Sequence, residues 1–218
     1  MLHCIGDSHA SIFKFFNGFY VCSIIGATNI GLSNPNSKTQ ANRKFKGYID
    51  KKIKFDDDIL FMCGEGDCGY VIWQRAEKYN TSFDEQFKLS LDNYFNLIMY
   101  AKQKINNNSK IIVCDIPYPT LRTGDKNGEV ANIRYDIGLR YPQERRTEMT
   151  IKYNNEIHEF CKKNNFIHLD YRKDAIDPKT GLIYDKLRDK DRPYDHHFDN
   201  NEFCKILSPK LKEMGLIS

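Results

Sequence analysis

The chain has 218 residues, 40% of them apolar and 28% charged, with 33 basic and 29 acidic side chains giving a formal net charge of +4. That length and balance fit one soluble domain with a sizeable core. No stretch approaches the ~20 apolar residues of a membrane span, and the basic residues form no dense stripe of the kind that tracks nucleic acid.

The first apolar run is Leu2-His3-Cys4-Ile5, followed at once by the polar turn Gly6-Asp7-Ser8-His9. A strand and a polar turn placed so early leave no room for a signal peptide, so a cytoplasmic location is expected. A short helix is predicted over 11–16. The second strand is predicted over 20–25, with Gly26-Ala27-Thr28-Asn29 after it and a helix over 38–49. The third is Ile59-Leu60-Phe61-Met62-Cys63, followed by Gly64-Glu65-Gly66-Asp67-Cys68-Gly69 and a helix over 70–78. Phe83, Phe87, Leu91, Tyr94, Phe95, Ile98, Ala101 and Ile105 recur at spacings of three and four, so a long amphipathic helix is predicted over 82–105. The fourth strand, Ile111-Ile112-Val113-Cys114, leads into Asp115 and an irregular loop over 117–142 that carries Arg122, Arg134 and Arg140. A loop of that length in a compact domain reads as a lid or substrate loop. A helix over 143–163 stops at Asn164-Asn165, a weaker strand is predicted over 166–169, and a charged loop over 171–195 precedes Asp195-His196-His197 and a last helix over 201–214.

Continuous apolar runs alternating with helices describe a parallel sheet covered on both faces, a three-layer α/β/α sandwich in one domain. Ligands gather at the carboxyl ends of such strands, which is where the glycine-rich and polar turns fall. The cysteines are Cys4, Cys22, Cys63, Cys68, Cys114, Cys161 and Cys204. Their odd number, apolar surroundings and lack of any CxxC pair point to reduced core thiols rather than a structural zinc site. No metal and no cofactor are called for.

Ser8 sits at a strand-to-helix turn, where free backbone N–H groups and the helix dipole favour a developing anion. An ordinary N-cap serine is the plain alternative. A serine needs a base to act as a nucleophile. His9 is adjacent and points along the helix, which leaves the late Asp195-His196-His197 cluster, where one histidine can turn to Ser8 and Asp195 can hold its ring.

This arrangement resembles the SGNH (GDSL-like) hydrolases over nearly the whole chain, from Gly6 to His197. Gly6-Asp7-Ser8 matches their first block. Gly26 or Gly31 matches the glycine that supplies an oxyanion N–H, with Gly26 preferred because it directly follows the strand. Gly64-Glu65-Gly66-Asp67 matches Gly-x-Asn-Asp in part, and Asp195 with His197 matches the block before the last helix. His197 is preferred to His196 because Phe198 follows it, as a large apolar residue follows the family's histidine. The resemblance implies a sheet of about five strands in flavodoxin-like order and a Ser8, His197, Asp195 mechanism with oxyanion donors at Ser8, Gly26 and Gly66. Asp7, His9, Asn29, Glu65, Asp67, Arg75 and His196 are further candidates for the site, Glu65 either toward substrate hydroxyls or toward Arg75.

Two departures stand out. Gly66 occupies the position of the family's asparagine, leaving only a backbone N–H there. The family's acid lies three residues before the histidine, which here is Tyr194, so Asp195 or Asp191 must serve instead. A narrower resemblance is to SGNH-like proteins with GDSH and GExDC blocks, found near polysaccharide-building enzymes. The family's activities imply an esterase, a carbohydrate deacetylase or an acyltransferase, with a small acyl ester on a carbohydrate or other polar molecule as substrate. Neither nucleic acid nor membrane is an expected partner, and oligomeric state is left open. Two other classes compete. A metal-dependent phosphoesterase also opens with Asp-x-His, here Asp7-Ser8-His9. A carbohydrate- or partner-binding module would keep the fold without the chemistry.

Overall fold

The computed structural model describes residues 1–122, 140–192 and 195–217. The five apolar runs form strands β1 (Leu2–Gly6), β2 (Phe19–Ser23), β3 (Asp58–Met62), β4 (Ile111–Cys114) and β5 (Ile167–Leu169), in the order β2-β1-β3-β4-β5. Every neighbouring pair is parallel, with Gly6 level with Ser23 on one side and Met62 on the other. This is the flavodoxin-like order, and the end of β1 lies at its switch point.

Alternate residues of the central strands enter two separate cores. Ile5, Ile59, Phe61, Ile111 and Val113 pack beneath α1 (Ala41–Lys52), α3 (Phe83–Lys102) and α4 (Gln143–Asn164). Leu2, Cys4, Leu60, Met62, Ile112 and Cys114 pack on the opposite face with Phe13 and with Phe203, Leu207 and Leu211. Those last three residues belong to the final helix, α6 (Asn200–Glu213). Two cores separated by one sheet are the physical content of the three-layer sandwich.

Local chemistry sets the helix ends. Ser82 and Glu85 form a reciprocal capping box at the start of α3. Asn165 takes the left-handed conformation that ends α4, at φ 56°. The short helix α5 (Arg172–Ala175) and the bridge Ile176–Ile183 give internal structure to the predicted loop over 171–195.

Several elements differ from their sequence reading. The segment after β1 is a 3₁₀ helix, Ser8–Phe15, and Asp7 rather than Ser8 caps it, accepting the His9 N–H. β2 is an edge strand and ends two residues early. Its Tyr20 is exposed and Ile25 beyond it is 83% exposed, so it is not covered on both faces. The helix α2 (Ile72–Tyr79) is preceded by a π-helical turn, Asp67–Val71, which buries Asp67 and Cys68. Of the loop predicted over 117–142, residues 117–121 are buried against the fold, whereas 123–139, including Arg134, lie outside the described residues. All seven cysteines are unpaired, five of them buried. Among the described residues no helix is long and apolar enough to cross a membrane.

Gly6 is the tightest point of the switch region. A Cβ there would sit 1.9 Å from the Met62 carbonyl oxygen and 2.7 Å from Ala10 Cβ. Backbone cannot yield as a side chain can, so Gly6→Ala is expected to lower stability by at least ~2 kcal/mol. A fall in the urea midpoint at unchanged m-value would show it.

Candidate active site

Ser8 begins the 3₁₀ helix at the carboxyl end of β1, and the Asp195-His196-His197 segment comes over it just before α6. Ser8 Oγ lies 2.9 Å from His197 Nε2. His197 Nδ1 lies 2.6 Å from Asp195 Oδ1, and the same oxygen accepts the His197 backbone N–H at 2.9 Å. One carboxylate oxygen therefore fixes both the backbone and the ring of the residue two positions on, an Asx turn closed over an imidazole. This local turn explains why two residues of spacing suffice here. Asp191 contributes no contact to His197; its N–H donates to Asp189.

The second Asp195 oxygen faces Arg192 Nη1 at 2.7 Å, and Arg192 also holds Asp189. Burial pushes the Asp195 carboxyl upward, but the two His197 bonds and the Arg192 charge outweigh it and hold the group well below the ordinary range.

A second unit of the same form lies directly behind. Asp7 Oδ1 accepts the His9 N–H at 2.9 Å and the His9 ring Nδ1–H at 3.2 Å. Asp7 Oδ2 accepts the Gly64 N–H at 2.9 Å. Burial raises the Asp7 carboxyl, yet the His9 and Gly64 donors prevail and keep it below the ordinary value. The His9 and His197 rings face each other with centroids 4.2 Å apart, and His196 lies 4.9 Å and 4.0 Å from them. Burial, with His197 adding to it, lowers His9 against the opposing Asp7 and the His196 carbonyl. Burial and the two neighbouring rings push His196 down to about 2. Both rings are thus neutral near pH 7.

Glu65 is 2% exposed and meets His9 Nε2 and His196 Nε2, each at 3.8 Å. Burial and the nearby Asp7 push its carboxyl well up, partly offset by Arg146. Arg146, fully buried in α4, was not foreseen from sequence. It donates to the carbonyls of Leu121 and Tyr141, so it ties residues 121 and 141 to the same side chain. Its only sequence signal is an arginine on the apolar side of a helix.

The remaining candidates make the following contacts. Arg75 donates to Gln86 at 2.8 Å and lies over the Tyr79 ring, so the expected Glu65–Arg75 pair is not formed. Asn29 is fully buried, and its Nδ2 donates to the Cys63 carbonyl and the Tyr153 hydroxyl, a bracing role between loops. Asp67 accepts the N–H groups of Asn29 and Ile30 at 2.7 and 2.9 Å. Burial raises it to about 6 against those two bonds. Gly26 is exposed at φ 71° in the turn closed by Ala27 N–H to the Ile24 carbonyl, a position that demands a left-handed residue. Gly31 donates its N–H to Thr28 Oγ1. Gly66 precedes the π-helical turn at φ −60°. Arg122 and Arg140 of the expected substrate loop form ion pairs with Asp185 and Glu77.

No protein-family model and no curated protein sequence matches the chain. Solved structures do. A GDSL-like lipase from Bacteroides thetaiotaomicron is similar over 98% of this chain and 86% of its own, at 13% identity and a TM-score of 0.60. A protein assigned as an arylesterase from Agrobacterium tumefaciens is similar over 100% and 99%, at 12% identity and a TM-score of 0.55. Phospholipase A1 from Streptomyces albidoflavus is similar over 96% and 98%, at 10% identity and a TM-score of 0.52. The chain therefore has the three-layer fold of the SGNH (GDSL-like) hydrolases.

The depressed Asp195 carboxyl gives a pH signature of the site. A carboxyl lowered on folding stabilises the protein above its unfolded pKa, ~3.9 for Asp, and loses that contribution as pH falls below it. Asp195→Asn is therefore expected to lower Tm at pH 7 and to converge on the wild type on acidification below about pH 4. A Tm gap independent of pH would remove the assigned ionic role of Asp195.

Proposed function

We propose that the protein is an ester-hydrolysing serine hydrolase in which Ser8 is the nucleophile, His197 the base and Asp195 its orienting acid. The observation that carries this reading is the continuous line from Ser8 Oγ to His197 Nε2 at 2.9 Å and from His197 Nδ1 to Asp195 at 2.6 Å. In this reading Ser8 Oγ attacks the ester carbonyl while its proton passes to His197 Nε2. Asp195 stays ionised and stabilises the imidazolium. The backbone N–H groups of Ser8, Gly26 and Gly66 receive the oxyanion. His197 then protonates the departing alcohol, and water, activated by the same ring, releases the acid.

The proposed substrate is an acetyl or other small acyl ester on a carbohydrate or similarly polar molecule. One observation supports a polar ligand: the charged Arg192, more than half exposed, stands beside Asp195 of the triad. A dimetal phosphoesterase is less well supported, because it would need Asp7 as a ligand and both Asp7 oxygens already accept N–H donors.

Removal of the nucleophile is the direct test. Ser8→Ala should reduce kcat/KM on p-nitrophenyl acetate by about 10³-fold or more and abolish labelling by a fluorophosphonate. Retained turnover in Ser8→Ala would overturn the assignment.

The absent asparagine can be supplied. A Cβ on Gly66 would meet only Thr28 Cγ2, at 3.6 Å, and its φ of −60° suits any residue. One oxyanion donor is worth about 10²–10³ in rate. Gly66→Asn is therefore expected to raise kcat on the same ester by about tenfold or more with little change in KM, read by steady-state kinetics.

A further inference from the structure

The line from Ser8 to Asp195 does not by itself set the plane of the His197 ring. Asp195 Oδ1 holds that ring by one atom, Nδ1, at 2.6 Å. The torsion that turns an imidazole about its Cβ–Cγ bond is broad, so one bond restrains the plane without fixing it. Solvent reaches part of the ring, since the His197 side chain is 29% exposed. Two further imidazoles pack against it. The His9 centroid lies 4.2 Å away with the planes 31° apart, and the His196 centroid lies 4.0 Å away with the planes 51° apart. Of the two, His9 is itself locked. Asp7 Oδ1 accepts both its backbone N–H and its ring Nδ1–H, and Gly64 N–H holds the other Asp7 oxygen. Nδ1 of the His196 ring makes no hydrogen bond.

From this geometry we propose that His9 is a positioning residue for ester cleavage: its locked ring is the wall against which His197 is held with Nε2 on Ser8 Oγ. The effect on rate rests on the hydrolase reading, whereas the effect on ring position rests on the contacts alone. The reaction requires that wall to be uncharged. His197 is an imidazolium while it holds the Ser8 proton, and a second cation 4.2 Å away would oppose it. The titratable groups facing His9 are Asp7 at the end of β1, Glu65 in the turn after β3, and His196 and His197 before α6. Burial, with His197 adding to it, lowers His9 and outweighs the pull of Asp7. Burial and Asp7 push the Glu65 carboxyl up, so the group 3.8 Å from His9 Nε2 favours its neutral form and draws no proton onto the ring. A neutral ring packs against His197 in both of its protonation states, its π face toward the cation when one forms. Misplacing a reacting group by ~1 Å costs about 10²-fold in rate, which is the scale of effect such a wall can have.

Two variants of the full chain separate the ring face from the hydrogen bond to Asp7. His9→Asn keeps an N–H for Asp7 and removes the ring, whereas His9→Phe keeps a flat ring and removes the N–H. On p-nitrophenyl acetate, His9→Asn is expected to lower kcat about 10- to 100-fold with KM nearly unchanged, because buried His9 acts on the base and not on the substrate. His9→Phe is expected to keep a kcat at least about fivefold above that of His9→Asn. Equal kcat in the two, or more in His9→Asn, would overturn the proposal, since the Asp7 bond would then be the active part. Crystal structures of the variants read the geometry without any turnover. In His9→Asn the His197 Nε2 is expected to leave hydrogen-bond distance of Ser8 Oγ, and in His9→Phe to keep it. An unmoved His197 in His9→Asn would overturn the proposal even if kcat fell. A wild type with no ester turnover would instead sink the hydrolase reading, and the ring position would still decide the role of His9. Histidine-resolved NMR of the wild-type chain needs no variant. His9 should remain the neutral Nδ1–H tautomer from about pH 8 to about pH 6, and a proton gained there would overturn the uncharged wall.

Discussion

Burial of Asp7 beneath the strand ends is the constraint from which the rest of the site follows. Its carboxylate is 3% exposed and accepts two backbone N–H groups and one ring N–H. Its carbonyl accepts the Ser23 hydroxyl. One residue thus joins the ends of β1, β2 and the turn after β3, three segments that are distant in sequence. A buried anion without donors would be costly, whereas one with three donors makes the three turns adopt a single relative position. Ser8 inherits that position because it is the next residue along the chain.

The other half of the site is held from outside. Arg192 ties Asp189 to Asp195, and Asp195 in turn orders His197. Arg192 is more than half exposed, so its pairing is worth little in stability. Its role is geometric, because Asp195 must present one oxygen to His197 while the other is occupied. Phe198, 2% exposed, packs against Tyr171 and Phe203 and anchors the segment in the core immediately after the histidine. The apolar residue that distinguishes His197 from His196 in the sequence thus has a mechanical reason. It fixes the backbone from which the His197 ring reaches Ser8.

Much of this organisation was legible in the sequence because it depends on local chemistry and periodicity. The five apolar runs specify five strands, and the glycine-rich turns mark their carboxyl ends. The long helix over 82–105 follows from apolar spacing, and Asn164-Asn165 marks the end of the next. What was not legible depends on position in the sheet and on contacts between distant segments. The apolar Tyr20–Ile25 run looks like a covered strand, yet strand order puts it at an edge. Asn29 and Asp67 lie in the right turns, but their side chains satisfy backbone groups of neighbouring loops, which sequence order does not reveal. Arg75 pairs with Gln86, eleven residues on, rather than with Glu65. The spacing of Asp195 to His197 departs from the family pattern only until the Asx turn is seen, since that turn needs two residues and not three.

The two Asp-x-His units make a final point about environment. Asp7-Ser8-His9 and Asp195-His196-His197 use the same local turn, with one oxygen holding both the backbone and the ring of the second residue on. Local sequence therefore gives both histidines the same orientation rule. Burial gives them different chemistry. His197 retains a partly exposed edge and meets a hydroxyl, so it can exchange a proton with a reacting group. His9 is sealed against Glu65 and His196, where gaining a proton would bury a charge, so its outward nitrogen remains an electron-pair donor. Transposing the two rings would require moving the sheet edge and the α6 segment that cover them, not altering either motif. The division of labour between the two units is thus a property of the fold rather than of the three-residue pattern they share.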